Sequence, residues 1–141
     1  MARRRNSVPS ITLLVSGDPV VGRTLALLLR NSYYDVNFVP TSSLSEPGVL
    51  EDVRLLVLTP TPELSAERRE TLLKSLSDMV GAADMQILEL VPFSAQVQER
   101  EVREKAWHVV LWPCRTEELK WRIEMILLAD SEETLDAHQG P

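Results

Sequence analysis

The sequence predicts a three-layer α/β domain built on a five-stranded parallel sheet, and three observations carry that expectation. Short apolar runs with little charge alternate with segments of helical periodicity along the chain, the pattern of repeated βα units. The first alternation, Ile11 to Leu29 (ITLLVSGDPVVGRTLALLL), is an uncharged strand that feeds a helix through a short polar turn. Each of the five apolar runs is followed within a few residues by a proline (Pro19, Pro40, Pro60, Pro92 and Pro113), and proline punctuates element ends.

The elements follow in order. Ile11–Val15 carries no charge, as a central parallel strand covered on both faces requires. Asp18 is placed as N-cap and Pro19 at the first helical position of a helix that runs to about Arg30. Asp35–Val39 is the second strand. In the next crossover, TSSLSEPGVLED, Pro47 and Gly48 sit mid-segment, so a short, broken or irregular helix is expected. Val53–Leu58 is the third strand, and Ser65 caps a helix to about Gly81 with Leu72, Leu73, Leu76 and Val80 on its inner face. Met85–Val91 is the fourth strand. A polar helix spans Ser94 to about Ala106, and His108–Leu111 is the fifth strand. In the last helix Thr116 is the expected N-cap, Glu117 and Glu118 favour the positive end, and the run reaches about Ala129.

Composition bounds the rest. At 141 residues, 44% apolar and 26% charged, the chain is one ordinary globular domain. A net charge of −6 argues against a general nucleic-acid binder, which needs a basic face. The single cysteine, Cys114, leaves no intramolecular disulfide and no multi-cysteine metal site. No apolar run approaches the ~18 residues of a membrane span, and the run after Pro9 is too short for a signal sequence. A cytoplasmic protein is expected, with no cofactor and no membrane association. Residues 1–9, with Arg3, Arg4 and Arg5, are read as a disordered basic arm, 10–129 as the folded domain, and 130–141 as an acidic flexible tail.

Over about residues 10–129 the chain resembles the receiver domain of bacterial response regulators. The resemblance rests on VSGDPVVGRTLALLL, NSYYDV and VVLWPCRTEELKWRI. It implies a flavodoxin-like fold with strand order 2-1-3-4-5. It also implies a phosphorylation site: acidic residues after strand one hold magnesium, an aspartate ending strand three accepts phosphate, and a threonine or serine ending strand four and a lysine ending strand five read the phosphoryl group. Magnesium requires hard oxygen ligands. Here the acidic positions hold Ser16 and Gly17, with only Asp18 beside them. The acceptor position falls on Leu58 or Thr59, the strand-four position on Leu90 or Val91, and the lysine position on Trp112, although Pro113 after it is retained. The chain is therefore expected to be a pseudo-receiver, with the fold but without aspartyl phosphorylation.

Other motifs are weaker. Gly17 to Thr24 has the spacing of a phosphate loop between a strand and a helix. Arg23 replaces its lysine, Pro19 removes a backbone N–H, and the third strand ends without a metal-holding aspartate. Glu89 is a charge inside the apolar run ILELV; if buried it must be paired or protonated and marks a site, and otherwise it sits near a strand end and reaches solvent or an arginine. Cys114 has no adjacent charge that activates it. His108 and His138 lack the spacing of metal ligands, and no nucleophilic triad can be assembled.

The last helix is the most informative surface. At 100° per residue, Leu119, Ile123, Ile126 and Leu127 share the side that faces the sheet, and Trp121, Met125 and Leu128 share the opposite side. An outward Trp-Met-Leu stripe marks a contact; burying it contributes on the order of 5 kcal/mol before association costs. The stripe is either a contact with another protein or a second copy, or is covered by the chain's own arm or tail, or arises by chance. In receivers the face of helix four, strand five and helix five is the common dimerisation and output face, so the resemblance points to the same place. The leading expectation is a non-enzymatic signalling or scaffold module that docks through Trp121, Met125 and Leu128, with Arg122 and Glu118 as rim charges. The alternative is a small-ligand sensor at the strand edge near Ser16, Asp18, Thr59 and Trp112; third is nucleotide binding at Gly17–Thr24.

Overall fold

The computed structural model describes residues 11–31, 33–61, 64–79, 85–92 and 107–139. Five strands, β1 (Ile11–Ser16), β2 (Tyr34–Val39), β3 (Leu55–Leu58), β4 (Gln86–Pro92) and β5 (His108–Trp112), form one sheet in the order β2-β1-β3-β4-β5. Every pairing is parallel. Among the described residues the helices are α1 (Pro19–Leu29), α2 (Ala66–Met79) and α3 (Thr116–Gln139).

The uncharged strands are explained by the two cores they divide. Leu13 and Val15 of β1 face the layer in which Leu25 and Leu29 of α1 pack with Leu119 and Ile123 of α3. Leu14 between them faces the other layer, where Leu56 and Leu58 of β3 meet Leu73 and Leu76 of α2 and Trp107. Successive side chains alternate faces, so a strand buried on both sides has no position left for charge.

Asp18 and Ser65 cap their helices as expected: the Val21 N–H donates to Asp18 Oδ2 at 3.0 Å and the Arg68 N–H to Ser65 Oγ at 3.2 Å. The second crossover is irregular, a 3-10 turn at Thr41–Ser43 followed by turns. Gly48 supplies the positive φ of 85° that this path needs.

Several boundaries differ from expectation: by one residue, β1 extends to Ser16, β2 begins at Tyr34, β4 spans Gln86–Pro92 and β5 extends to Trp112. β3 begins at Leu55 and not at Val53. Thr116 is the first helical residue and not the N-cap, because the Leu119 N–H bonds the Arg115 carbonyl at 3.0 Å, which makes Arg115 the half-in residue. The largest difference is the end of α3, which continues to Gln139 through most of the segment read as a flexible tail. No proline or glycine interrupts residues 130–139. At 24 residues, α3 is roughly 36 Å long, longer than the strands it covers. The basic arm and the polar helix read at 94–106 lie outside the described residues, as do Val80 and Gly81 at the end of the helix after β3.

Candidate functional site: the carboxyl edge of the sheet and the outer face of α3

In an open parallel sheet the loops after the strands form the edge where ligands bind. The register places Ser16 beside Leu58, and Leu58 beside Glu89. The register thus brings the ends of β1, β3 and β4 together at this edge, where Ser16, Leu58, Thr59 and Leu90 are all buried. Leu58 and Leu90 are fully buried and belong to opposite hydrophobic layers. Trp112 packs against the layer shared by α1 and α3, and the Trp112–Pro113 peptide is cis.

Thr59 closes the space between β1 and β3. Its backbone N–H donates to the Ser16 carbonyl at 2.8 Å. Its hydroxyl donates to the same carbonyl at 3.2 Å and accepts from the Asp18 N–H at 3.1 Å. Thr61 adds a second hydroxyl, donating to the Thr59 carbonyl at 3.0 Å. Gly17 lies beneath both threonines with φ 128°, and a Cβ there would collide with Thr59 Oγ1. Position 17 therefore accepts no side chain without displacing Thr59. The Asp18 carboxylate, next to Gly17, is engaged in capping α1. Ser16 Oγ is buried and has no hydrogen-bond partner.

The cluster missed in the sequence lies beside this edge. Arg69, in the first turn of α2, donates from Nε to Glu89 Oε2 at 2.7 Å. Its Nη1 reaches the Thr59 carbonyl at 2.9 Å and Thr61 Oγ1 at 3.4 Å. Its Nη2 reaches the carbonyls of Leu58 at 3.3 Å and Leu90 at 3.0 Å. A guanidinium carries five N–H donors, and here five acceptors meet them, so Arg69 is saturated by the protein. The other carboxylate oxygen of Glu89 accepts from Trp107 Nε1 at 2.9 Å. The buried charge at Glu89 is thus neutralised and hydrogen-bonded, as low-dielectric burial demands. Glu89 itself was the available signal; nothing in the sequence distinguishes Arg69 from Arg68 as its partner except helix phase.

The phosphate-loop reading of Gly17–Thr24 finds no cradle. The N–H groups of Asp18, Val21 and Gly22 are taken by Thr59 Oγ1, the Asp18 carboxylate and the Asp18 carbonyl. Gly22 is small because the Phe38 ring lies against it, and Arg23 sits over that ring, 5.6 Å from its centroid. Cys114 is held protonated: burial raises its pKa and the Glu118 carboxylate adds to this, against a smaller effect of Arg122. Among the described residues no group of three or more metal-ligating side chains converges, and no helix is long and apolar enough to cross a membrane.

On α3, Leu119, Ile123, Ile126 and Leu127 are buried, whereas Trp121, Met125 and Leu128 are 58%, 46% and 56% exposed. Glu118 and Arg122 are exposed beside them. Arg122 borders β5, where burial first and this guanidinium second lower the pKa of His108. Glu124 lies on the opposite flank, adding to the burial that raises the Tyr34 pKa. The apolar ridge therefore runs along the crest of the helix between two charged flanks. The sequence reading overlooked a second exposed group on α1, Val20, Leu27 and Leu28.

No family model matches the sequence, and no curated protein matches it. Solved structures do. A response regulator receiver domain protein from Clostridium thermocellum aligns over 89% of this chain and 98% of its own, with 14% identity and a TM-score of 0.64. The signal receiver domain of a signal transduction histidine kinase from Syntrophus aciditrophicus aligns over 86% of this chain and 92% of its own, with 17% identity and a TM-score of 0.63. The chain has the flavodoxin-like fold of receiver domains, with the strand order expected for it.

Proposed function

We propose that the chain is a non-enzymatic signalling or scaffold module that works without aspartyl phosphorylation and docks through the crest of α3. The observation that carries this reading is the Trp121-Met125-Leu128 ridge, exposed directly opposite four buried residues of the same helix. Trp121 is the anchor, because a large aromatic ring desolvates the most area for the fewest lost rotamers. Arg122 and Glu118 set orientation from one flank. Independence from phosphorylation is supported by the filled edge: β3 ends in the buried Leu58, followed by the buried Thr59, and among the described residues the neighbouring carboxylates of Asp18 and Glu89 are both engaged. A receiver-like fold makes a signalling role natural, and the pairing of two copies through α3 is the simplest form the contact takes.

Sedimentation of the wild type, Trp121→Glu and, as a control on the other exposed group, Leu27→Glu tests this across a wide concentration range. A dimer that Trp121→Glu turns into a folded monomer, and Leu27→Glu leaves intact, supports self-association through α3. Monomers throughout, with equal stability, end the homodimer reading and leave a heterologous partner. Loss of folding in Trp121→Glu overturns the docking role, since the ring is then part of the chain's own packing.

A further inference from the structure

The strongest feature outside the proposed docking face is the buried cluster of Arg69, Glu89 and Trp107. Its members come from three parts of the chain: the first turn of α2, the middle of β4 and the residue before β5. Through Arg69 it also holds the carbonyls of Leu58, Thr59 and Leu90 and the hydroxyl of Thr61. One guanidinium thus joins the end of β3, the turn after it and β4, and one carboxylate joins that assembly to the start of β5.

We infer that this cluster is a conformational lock that holds the carboxyl edge of the sheet and the start of β5 in one fixed arrangement. Three physical points carry the inference. All five guanidinium donors are satisfied within the protein, so no external anion is needed to complete the site. Both Glu89 oxygens are engaged, one by Arg69 and one by the Trp107 indole. Any displacement of β3, β4 or β5 against its neighbour at this level leaves a buried charge or a buried donor unpaired, which low-dielectric surroundings penalise heavily. Tight, fully satisfied polar networks of this kind favour one arrangement over alternatives. The inference does not depend on the docking reading, because it concerns the opposite layer of the sheet from α3.

Hydrogen exchange read by NMR tests it, since the indole N–H of Trp107 reports the cluster directly and backbone amides of Leu13, Val15 and Leu55 report global unfolding. In the wild type the Trp107 indole proton exchanges as slowly as those core amides; faster exchange in the wild type overturns the lock. In Arg69→Met the Trp107 indole proton and the Leu90 and Thr59 amides exchange on the order of a hundredfold faster relative to the core amides. A purely structural contribution instead accelerates all of these by one common factor, and that result also overturns the proposal. Should Arg69→Met fail to fold, Arg69→Lys answers the same question: it keeps the charge but lacks the planar fork. The expected outcome is the same selective loss of protection, and wild-type ratios in Arg69→Lys reject the lock. The sedimentation behaviour of the chain is read separately, so failure of one proposal leaves the other standing.

Discussion

Thr59 Oγ1 lies against Gly17 so closely that a Cβ on Gly17 would collide with it, while the Thr59 carbonyl and Thr61 Oγ1 crowd the same point at 2.9 and 3.0 Å. Gly17 also has φ 128°, a conformation that side chains avoid. The turn after β1 is therefore built around the absence of a side chain, and the threonine hydroxyl occupies the volume that any side chain there would need.

Placing an acidic residue there is expected to create no metal site. Gly17→Asp combines a strained backbone with an overpacked contact, and each contributes on the order of 1 to 3 kcal/mol. The expected result is a loss of about 2 to 6 kcal/mol in urea denaturation, with no gain in thermal stability on adding magnesium. A variant that stays fully stable and gains stability with magnesium would show the edge to be more adaptable than its packing indicates.

Asp18 contributes through its position at the start of α1. Its carboxylate accepts the Val21 N–H, so Asp18→Ala costs about 1 kcal/mol and Asp18→Ser or Asp18→Asn costs much less. Equal losses in all three variants would mean that the charge, and not the cap bond, is what matters at this turn.

The centre of the sheet was legible in the sequence because β1 and β3 are buried on both faces and so appear as short apolar runs, as at Leu13-Leu14-Val15, whereas the edge strands β2 and β5 mix buried and exposed positions. The α3 ridge was legible for the related reason that helical phase separates Trp121 from Ile123 without any tertiary information. The Arg69 lock was not. Glu89 announced a buried charge, but which arginine meets it depends on how α2 lies across β4, a relation that spans 20 residues and has no local signature. The length of α3 was missed for the opposite reason: an acidic, polar segment reads as a solvated tail, yet its composition is also that of a helix without breakers.

The stability of the fold falls on mild acidification through His108. Burial lowers the pKa of this imidazole, and Arg122 lowers it further. Over the interval between the depressed folded value and the ordinary one, the unfolded chain binds the proton more readily, so stability rises with pH across that interval. The contribution is fully present above a pH of about 6.5 and declines below it. Urea denaturation at pH about 5 and about 7.5, on either side of the ordinary histidine value, is expected to give a smaller difference in His108→Gln than in the wild type. An unchanged difference would assign the acid sensitivity to other groups. Arg122→Gln raises the His108 pKa, which an NMR titration of the ring reads directly.

Gly22 and Phe38 provide the sharpest separation of packing from phosphate binding. Gly22 lies inside α1, where alanine would gain up to about 1 kcal/mol from helix propensity. A Cβ there collides with the Phe38 ring, and moving the ring disturbs its stack with Arg23. Overpacking against a ring costs about 1 to 3 kcal/mol, so Gly22→Ala is expected to destabilise the chain despite the helical gain. In a Phe38→Leu background the obstacle is gone, and the same substitution becomes neutral or stabilising. A change of sign between the two backgrounds is a coupling that only direct contact produces. If Gly22→Ala costs the same in both, the glycine answers to some other constraint, and the packing account of this helix start is wrong.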